Sequence, residues 1–232
     1  MASNAIRKLI RKIHNHYFRN SSDYIAQLRD AGMAIGDDVT VHFPDRTFID
    51  PTAPHLITIG DHVNITGPAT ILTHDFSWSV IKTLTGEILG NQQAVTIGNN
   101  VFIGWGATIL AGTTIEDNTI IGAHAVVGGR ITGNSVWGGV PAKRICSLEH
   151  YKEKRDATQE IEAKDFVRRF RERFGRDPKE EEVYEYFYLW TSPDSLNEVY
   201  ERQLHVMGSY DLAVSKLGHG PYRDFGEFLR DC

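Results

Sequence analysis

Two cysteines in 232 residues, Cys146 and Cys232, stand far apart and outside any CxxC spacing. That excludes a disulfide framework and a thiolate metal site. No apolar run approaches the length of a membrane span, and the N-terminal stretch lacks the uncharged apolar core of a secretory signal. The expected compartment is the cytoplasm. Basic residues are not in excess: the formal net charge of −5 provides no global positive field, so nucleic acid is not an expected partner. A GxGxxG phosphate-binding turn is missing too. Hydrophobic residues, at 41%, are plentiful enough for a soluble chain with one large core or two small ones.

What the chain does hold is a repeat. From Ile97 onward, IGNNVF, IGWGAT, ILAGTT, IEDNTI, IGAHAV and VGGRIT place Ile97, Ile103, Ile109, Ile115, Ile121 and Val127 six apart. Four residues after each comes a small or β-branched side chain: Val101, Ala107, Thr113, Thr119, Ala125 and Ile131. The same phase appears upstream at Ile59, Ile65 and Ile71, and more faintly at Ile35 and Val41. Period six fits neither a helix at 3.6 nor a long strand at two, because Gly, Asn and Asp interrupt it every few positions. Short strands must therefore turn corners and coil. Three six-residue faces make one triangular coil, and stacked coils bury a continuous aliphatic column. The ends of such a stack need covers.

"VTIGNNVFIGWGATILAGTTIEDNTIIGAHAVV" followed by "VWGGVPAKRI" resembles the left-handed β-helix hexapeptide acyltransferases, the family of maltose and galactoside O-acetyltransferases and of acetyltransferases from polysaccharide gene clusters. The resemblance covers about half the chain, and left-handedness is what it implies, since a period does not define a hand. The expected fold is mainly β: a left-handed parallel β-helix over 31–145 with a loop at 77–96, an N-terminal amphipathic helical segment over 1–30, and a helical C-terminal extension over 146–232.

The repeat stops at "ILTHDFSWSV". Asp75 falls where an inward small residue should be, and an ionised carboxylate in an aliphatic column costs several kcal/mol. The coil is therefore expected to break there and release a loop. A sugar hydroxyl keeps its proton at neutral pH, and an imidazole, with an ordinary pKa of about 6.5, can remove that proton as the oxygen attacks a thioester. The resemblance assigns this general-base role to His74. Asp75 and Glu87 are candidates for orienting it. Asp50, in "FIDPTAPHL", is a candidate for binding acceptor hydroxyls or, alternatively, an Asx-type turn residue before Pro51. His62 and His124 fall at corners and read as solvated turn residues.

The resemblance also implies acetyl-CoA as co-substrate. Trp105 and Ala123, 18 residues apart on one edge, would meet its pantetheine arm; Lys143 in GVPAK would meet its phosphates, with Arg130 as a second phosphate contact. Trp105 reads alternatively as a packing residue. Relatives form trimers with sites between subunits, so a homotrimer acting on a sugar or glycan acceptor is expected. The favoured activity is O-acetylation in capsule, O-antigen or other polysaccharide synthesis. The alternatives are an N-acetyltransferase for a nucleotide-linked amino sugar and a non-catalytic glycan-binding scaffold. The γ-class carbonic anhydrases share the repeat but use a His-x4-His pair and a third His, a spacing that His62, His74 and His124 lack, so no metal is expected.

Two segments flank the repeat. "IRKLIRKIHNHYFRN" places Ile6, Leu9, Ile10, Ile13 and Tyr17 at helical spacing among basic residues, which suits docking on the following domain or, alternatively, peripheral contact with anionic lipid at the inner membrane face. After Ile145, "SLEHYKEKRDATQEIEAKDFVRRFRERFG" reads as a helix closed by Gly175. A second helix is expected from Asp177 as N-cap, with Pro178 at its first position and Glu180 completing a capping box. Its aromatic cluster, Tyr184, Tyr186, Phe187, Tyr188 and Trp190, reads as core rather than as a sugar platform.

Overall fold

The computed structural model describes residues 20–232, and the amphipathic stretch at 6–17 lies outside the described residues. The chain divides between Glu149 and His150 into two compact units, each with its own apolar core.

The first unit opens with α1 (Ser21–Asp30), where the side chain of Asn20 accepts from the Asp23 N–H at 2.8 Å. Three-strand coils follow. The first holds β1 (Ala34–Ile35), β2 (Thr40–His42) and β3 (Phe48–Ile49); the second holds β4 (Ile57–Ile59), β5 (Asn64–Thr66) and β6 (Thr70–Ile71). An excursion then carries β7 (His74–Asp75), α2 (Trp78–Thr85) and β8 (Asn91–Gln92). The third coil is β9 (Val95–Ile97), β10 (Val101–Ile103) and β11 (Thr108–Ile109), and the fourth β12 (Thr114–Ile115), β13 (Thr119–Ile121) and β14 (Val126–Val127). A last partial coil, β15 (Arg130–Ile131) and β16 (Ser135–Gly138), turns back into β17 (Lys143–Ser147).

Strands stack one coil above another into three parallel sheets: I (β1, β4, β9, β12, β15), II (β2, β5, β10, β13, β16) and III (β3, β6, β11, β14). β17 adds to sheet II as an antiparallel edge strand on β16. The register makes columns of like residues: Ile59, Ile97, Ile115 and Ile131 in sheet I, Ile65, Ile103 and Ile121 in sheet II, and Ile71, Ile109 and Val127 in sheet III. All are buried, as are Val101, Ala107, Thr113, Thr119 and Ala125 between them. The two threonines are tolerated inside because each hydroxyl donates to a nearby carbonyl, Thr113 to Leu110 at 2.6 Å and Thr119 to Glu116 at 2.7 Å. Tyr24, Ile25 and Leu28 of α1 join this core beside β1 and β2, which covers one end of the column.

The corner between sheets I and II is held by polar side chains in left-handed backbone. Asn100, Asn118 and Asn134 have φ of 53°, 56° and 50°, and their amides form a ladder, Asn100 to Asn118 at 2.8 Å and Asn118 to Asn134 at 3.0 Å. His62 occupies the same kind of position with φ 56° and pairs with Asp38 at 3.2 Å.

The second unit is helical. α3 (Leu148–Phe174) ends at Gly175, whose φ of 64° allows its N–H to reach the Arg171 carbonyl at 2.9 Å. The expected helix capped by Asp177 is corrected: a 3₁₀ segment runs over Glu180–Leu189 with non-helical backbone at Val183. Asp177 instead accepts from Arg171 at 2.6 Å, and Glu182 takes the Lys179 N–H at 2.7 Å. α4 (Glu198–Leu204), α5 (Tyr210–Val214) and α6 (Phe225–Asp231) complete the unit. Phe187 stacks on Tyr200 at 4.5 Å and Trp190 on Phe228 at 4.8 Å, all four buried, so these two members of the aromatic cluster are core.

Candidate active site

The coil breaks at the expected place but in another way. After the inward Ile71, Thr73 is fully buried, and the chain then leaves the column at the corner between sheets III and I. β7 and β8 pair antiparallel, with His74 opposite Gln92 and Asp75 opposite Asn91, so the two ends of the excursion form one stem. The Gln93 N–H returns to the Thr73 carbonyl at 2.8 Å and the repeat resumes with the buried Val95. The stem solves the problem that an inward Asp75 would pose. Asp75 is exposed, and its oxygens accept from the Ser77 N–H at 2.8 Å and from Asn91 Nδ2 at 2.6 Å.

His74 Nδ1 lies 2.8 Å from Asp50 Oδ2. Ile49 and Ile71 are register partners in sheet III, which brings the residues just beyond them, Asp50 on one coil and Thr73 and His74 on the next, to the same corner. Asp50 has no exposed side-chain surface, whereas the His74 side chain is 26% exposed. The carboxylate is fully hydrogen bonded. Oδ1 accepts from the Thr52 N–H at 3.0 Å and Thr52 Oγ1 at 2.7 Å; Oδ2 accepts from the Thr73 N–H at 3.2 Å and Thr73 Oγ1 at 2.5 Å. Burial alone would push the Asp50 carboxyl up, but the Thr73 and Thr52 hydrogen bonds outweigh it and hold the group well below the ordinary carboxylate range. Asp50 is therefore ionised at neutral pH and can only accept, so Nδ1 is the donor in this contact; in the neutral ring the opposite nitrogen then carries the lone pair.

This geometry revises three expectations. Asp50, buried and saturated, is the partner of the imidazole and not a contact for acceptor hydroxyls; its Asx-type turn onto Thr52 serves the same end. Asp75 sits next to His74 but faces the stem. Glu87 is exposed beyond α2, where its N–H bonds to Thr85 Oγ1 at 3.3 Å. Thr52 and Thr73 carry no mark in the sequence pattern, and only the structure brings them to Asp50. Ile49 lies 22 residues before Ile71 and out of phase with the six-residue period, so the repeat frame does not reveal the stacking that gathers them.

Trp105 and Ala123 stack on another corner, between sheets II and III. The His124 N–H donates to the Trp105 carbonyl at 2.7 Å, one coil over the other. Gly104 has no room for a side chain, since a Cβ there would stand 2.7 Å from the Ala123 nitrogen. Trp105 and Ala123 are exposed, and the indole packs edge-on against Phe43 at 5.6 Å. Lys143, first in β17, is exposed. Arg130 is not part of this edge: it lies in sheet I, and its Nε donates to Glu116 at 2.8 Å. The three corner histidines occupy three different corners, His62 between I and II, His124 between II and III, and His74 between III and I. Among the described residues no group of three or more His, Cys, Asp or Glu could hold a metal ion.

A triangular coil stack with an imidazole–carboxylate pair at one corner is the architecture of a hexapeptide-repeat transferase. A family model described as "Bacterial transferase hexapeptide (six repeats)" matches residues 94–129. Protein CapG of Staphylococcus aureus is 38% identical over 128 residues, 55% of this chain and 73% of that protein. Galactoside O-acetyltransferase of Escherichia coli K12 is 37% identical over 103 residues, 42% of this chain and 49% of that enzyme. The solved structure of a maltose O-acetyltransferase from Clostridium difficile 630 matches with 25% identity and a TM-score of 0.43, over 61% of this chain and 83% of that one. The chain belongs to the hexapeptide-repeat acyltransferase family.

Proposed function

We propose that the chain is an acetyl-CoA-dependent O-acetyltransferase that acetylates a sugar hydroxyl in polysaccharide synthesis, with His74 as general base. The observation that carries this reading is the 2.8 Å contact between His74 Nδ1 and the buried, ionised Asp50. It leaves one imidazole nitrogen able to take a proton. A relative named for O-acetylation of galactosides supports a sugar acceptor.

When bound, acetyl-CoA supplies an activated thioester carbonyl and a thiol leaving group. His74 takes the hydroxyl proton as the acceptor oxygen bonds to the carbonyl carbon, and Asp50 stabilises the imidazolium that forms. The imidazolium then returns that proton to the sulfur as the carbon–sulfur bond breaks, so no covalent enzyme intermediate is needed. The edge at Trp105 and Ala123 suits the long pantetheine arm, because both residues are exposed and stand one coil over the other along one corner. Lys143 would place a point charge on phosphate. His74 and that edge occupy different corners, which favours a homotrimer with His74 of one copy facing the groove of a neighbour. The left-handed sense of the coil is the family's. No helix among the described residues is long and apolar enough to cross a membrane, and we assign the enzyme to the cytoplasm.

Release of free coenzyme A from acetyl-CoA, measured with a panel of sugars and oligosaccharides for wild type and His74→Ala, tests the reading. Acceptor-dependent release that falls by about 10²-fold or more in the variant is expected. Undiminished release in the variant rejects His74 as base, and no binding of acetyl-CoA rejects the reading as a whole.

A further inference from the structure

Asp50 Oδ2 receives three donors: His74 Nδ1 at 2.8 Å, Thr73 Oγ1 at 2.5 Å and the Thr73 N–H at 3.2 Å. Thr73 itself is fully buried and stands at the junction where the excursion both leaves and rejoins the coil, since its carbonyl accepts the returning Gln93 N–H at 2.8 Å. Its side chain is β-branched and stiff about χ1. A hydroxyl on such a residue at such a junction is fixed by the repeat column rather than by the loop.

We propose that Thr73 is a positioning residue for the transfer reaction, whose hydroxyl aims Asp50 Oδ2 at His74 Nδ1 and so selects the tautomer that leaves the other ring nitrogen free to act as base. The proposal rests on the general-base reading above. Thr52 closes the selection from the other side. Its hydroxyl proton is given to Asp50 Oδ1 at 2.7 Å, so the oxygen that stands 3.4 Å from His74 Nδ1 presents a lone pair. Nδ1 thus faces acceptors only, and a ring with its proton on the opposite nitrogen would set lone pair against lone pair. Without the Thr73 hydroxyl, Oδ2 keeps on that side only the longer bond from the Thr73 N–H at 3.2 Å, and the carboxylate is held less firmly toward the ring.

The test uses the full chain carrying ¹⁵N-histidine, with the His74 signals assigned by their loss in His74→Ala. Thr73→Val keeps the shape and removes the hydroxyl; Thr73→Ala and Thr73→Ser differ from each other by that oxygen alone. Imidazole ¹⁵N shifts should report one tautomer, protonated at Nδ1, in wild type and Thr73→Ser, and a mixture in Thr73→Val and Thr73→Ala. Coenzyme A release with the most active sugar of the panel should fall roughly tenfold in kcat, the scale of one hydrogen bond to a charged group, while KM for acetyl-CoA stays within about twofold. If Thr73→Val does not fold, the Ala and Ser pair carries the comparison. A single Nδ1–H tautomer and unchanged kcat in the hydroxyl-free variants would overturn the proposal and leave the general-base reading standing. Full acceptor-dependent activity in His74→Ala would instead remove the base itself, whatever the tautomer.

Discussion

Asn91 Nδ2 donates to Asp75 Oδ2 at 2.6 Å across 16 residues of chain. The bond ties the two strands of the stem together immediately beside the imidazole. Asp75 hydrogen bonds within the stem and not to the His74 ring, so removing it should chiefly loosen the loop. Asp75→Ala is expected to lower kcat by about 3- to 10-fold, the size of a lost exposed or half-buried hydrogen bond. Limited proteolysis should show faster cleavage within 76–90 in that variant, and Asp75→Asn should recover most of the activity.

The carboxyl of Asp50 is held below its ordinary value by Thr73 and Thr52 in spite of burial. Its ionised form therefore favours the folded state fully at any pH above the unfolded value of about 4, and that contribution declines as pH falls below it. Urea midpoints measured between neutral pH and about pH 3 should drop more steeply for wild type than for Asp50→Asn, which has no proton to take up. At neutral pH Asp50→Asn should be the less stable of the two, since an amide cannot accept all the donors that converge on Asp50.

Asn118 lies in the middle of the corner ladder, bonded to Asn100 and to Asn134, with φ of 56°. Asn118→Ala removes both side-chain bonds and leaves a Cβ in left-handed backbone without compensation, which should cost about 1–3 kcal/mol. Asn118→Gly loses the same bonds but relieves the backbone, and should lower Tm by less. Thermal melts of the two variants beside wild type decide the matter, and equal melting temperatures would deny any backbone contribution.

Lys143 should matter for coenzyme binding alone. Lys143→Ala is expected to raise KM for acetyl-CoA several-fold, with a weaker salt dependence than wild type, because a phosphate contact by a lysine is a screened point-charge interaction. KM for the sugar should not change. Arg130→Ala provides the contrast: its guanidinium is engaged with Glu116, so the substitution should leave KM for acetyl-CoA as it is.

Much of the fold could be read directly, because the residues that repeat are the ones that stack. Ile97, Ile103 and Ile109 are six apart in the chain, and each sits in a different sheet of the column. Gly175 as a helix stop was equally legible, since left-handed backbone there suits a residue without a Cβ. The helix expected from Asp177 was not, because the long-range demands of Phe187 and Trp190 in the second core prevailed over local capping preference. At the site, the interruption of the repeat marks His74, but the carboxylates that follow it in the chain, Asp75 and Glu87, are not the one that meets its ring.

Sequence alone thus determined the period, the identity of the inward columns, the point at which the coil must open and the residue with acid–base chemistry at that point. These are properties of spacing and side-chain type within a few residues. Tertiary structure decided which carboxylate serves the imidazole. Asp50 is 24 residues from His74, and only the stacking of Ile49 on Ile71 brings the two to one corner. It also decided that Asp50 stays charged while fully buried, because that depends on four hydrogen bonds from two threonines on different coils meeting one carboxylate.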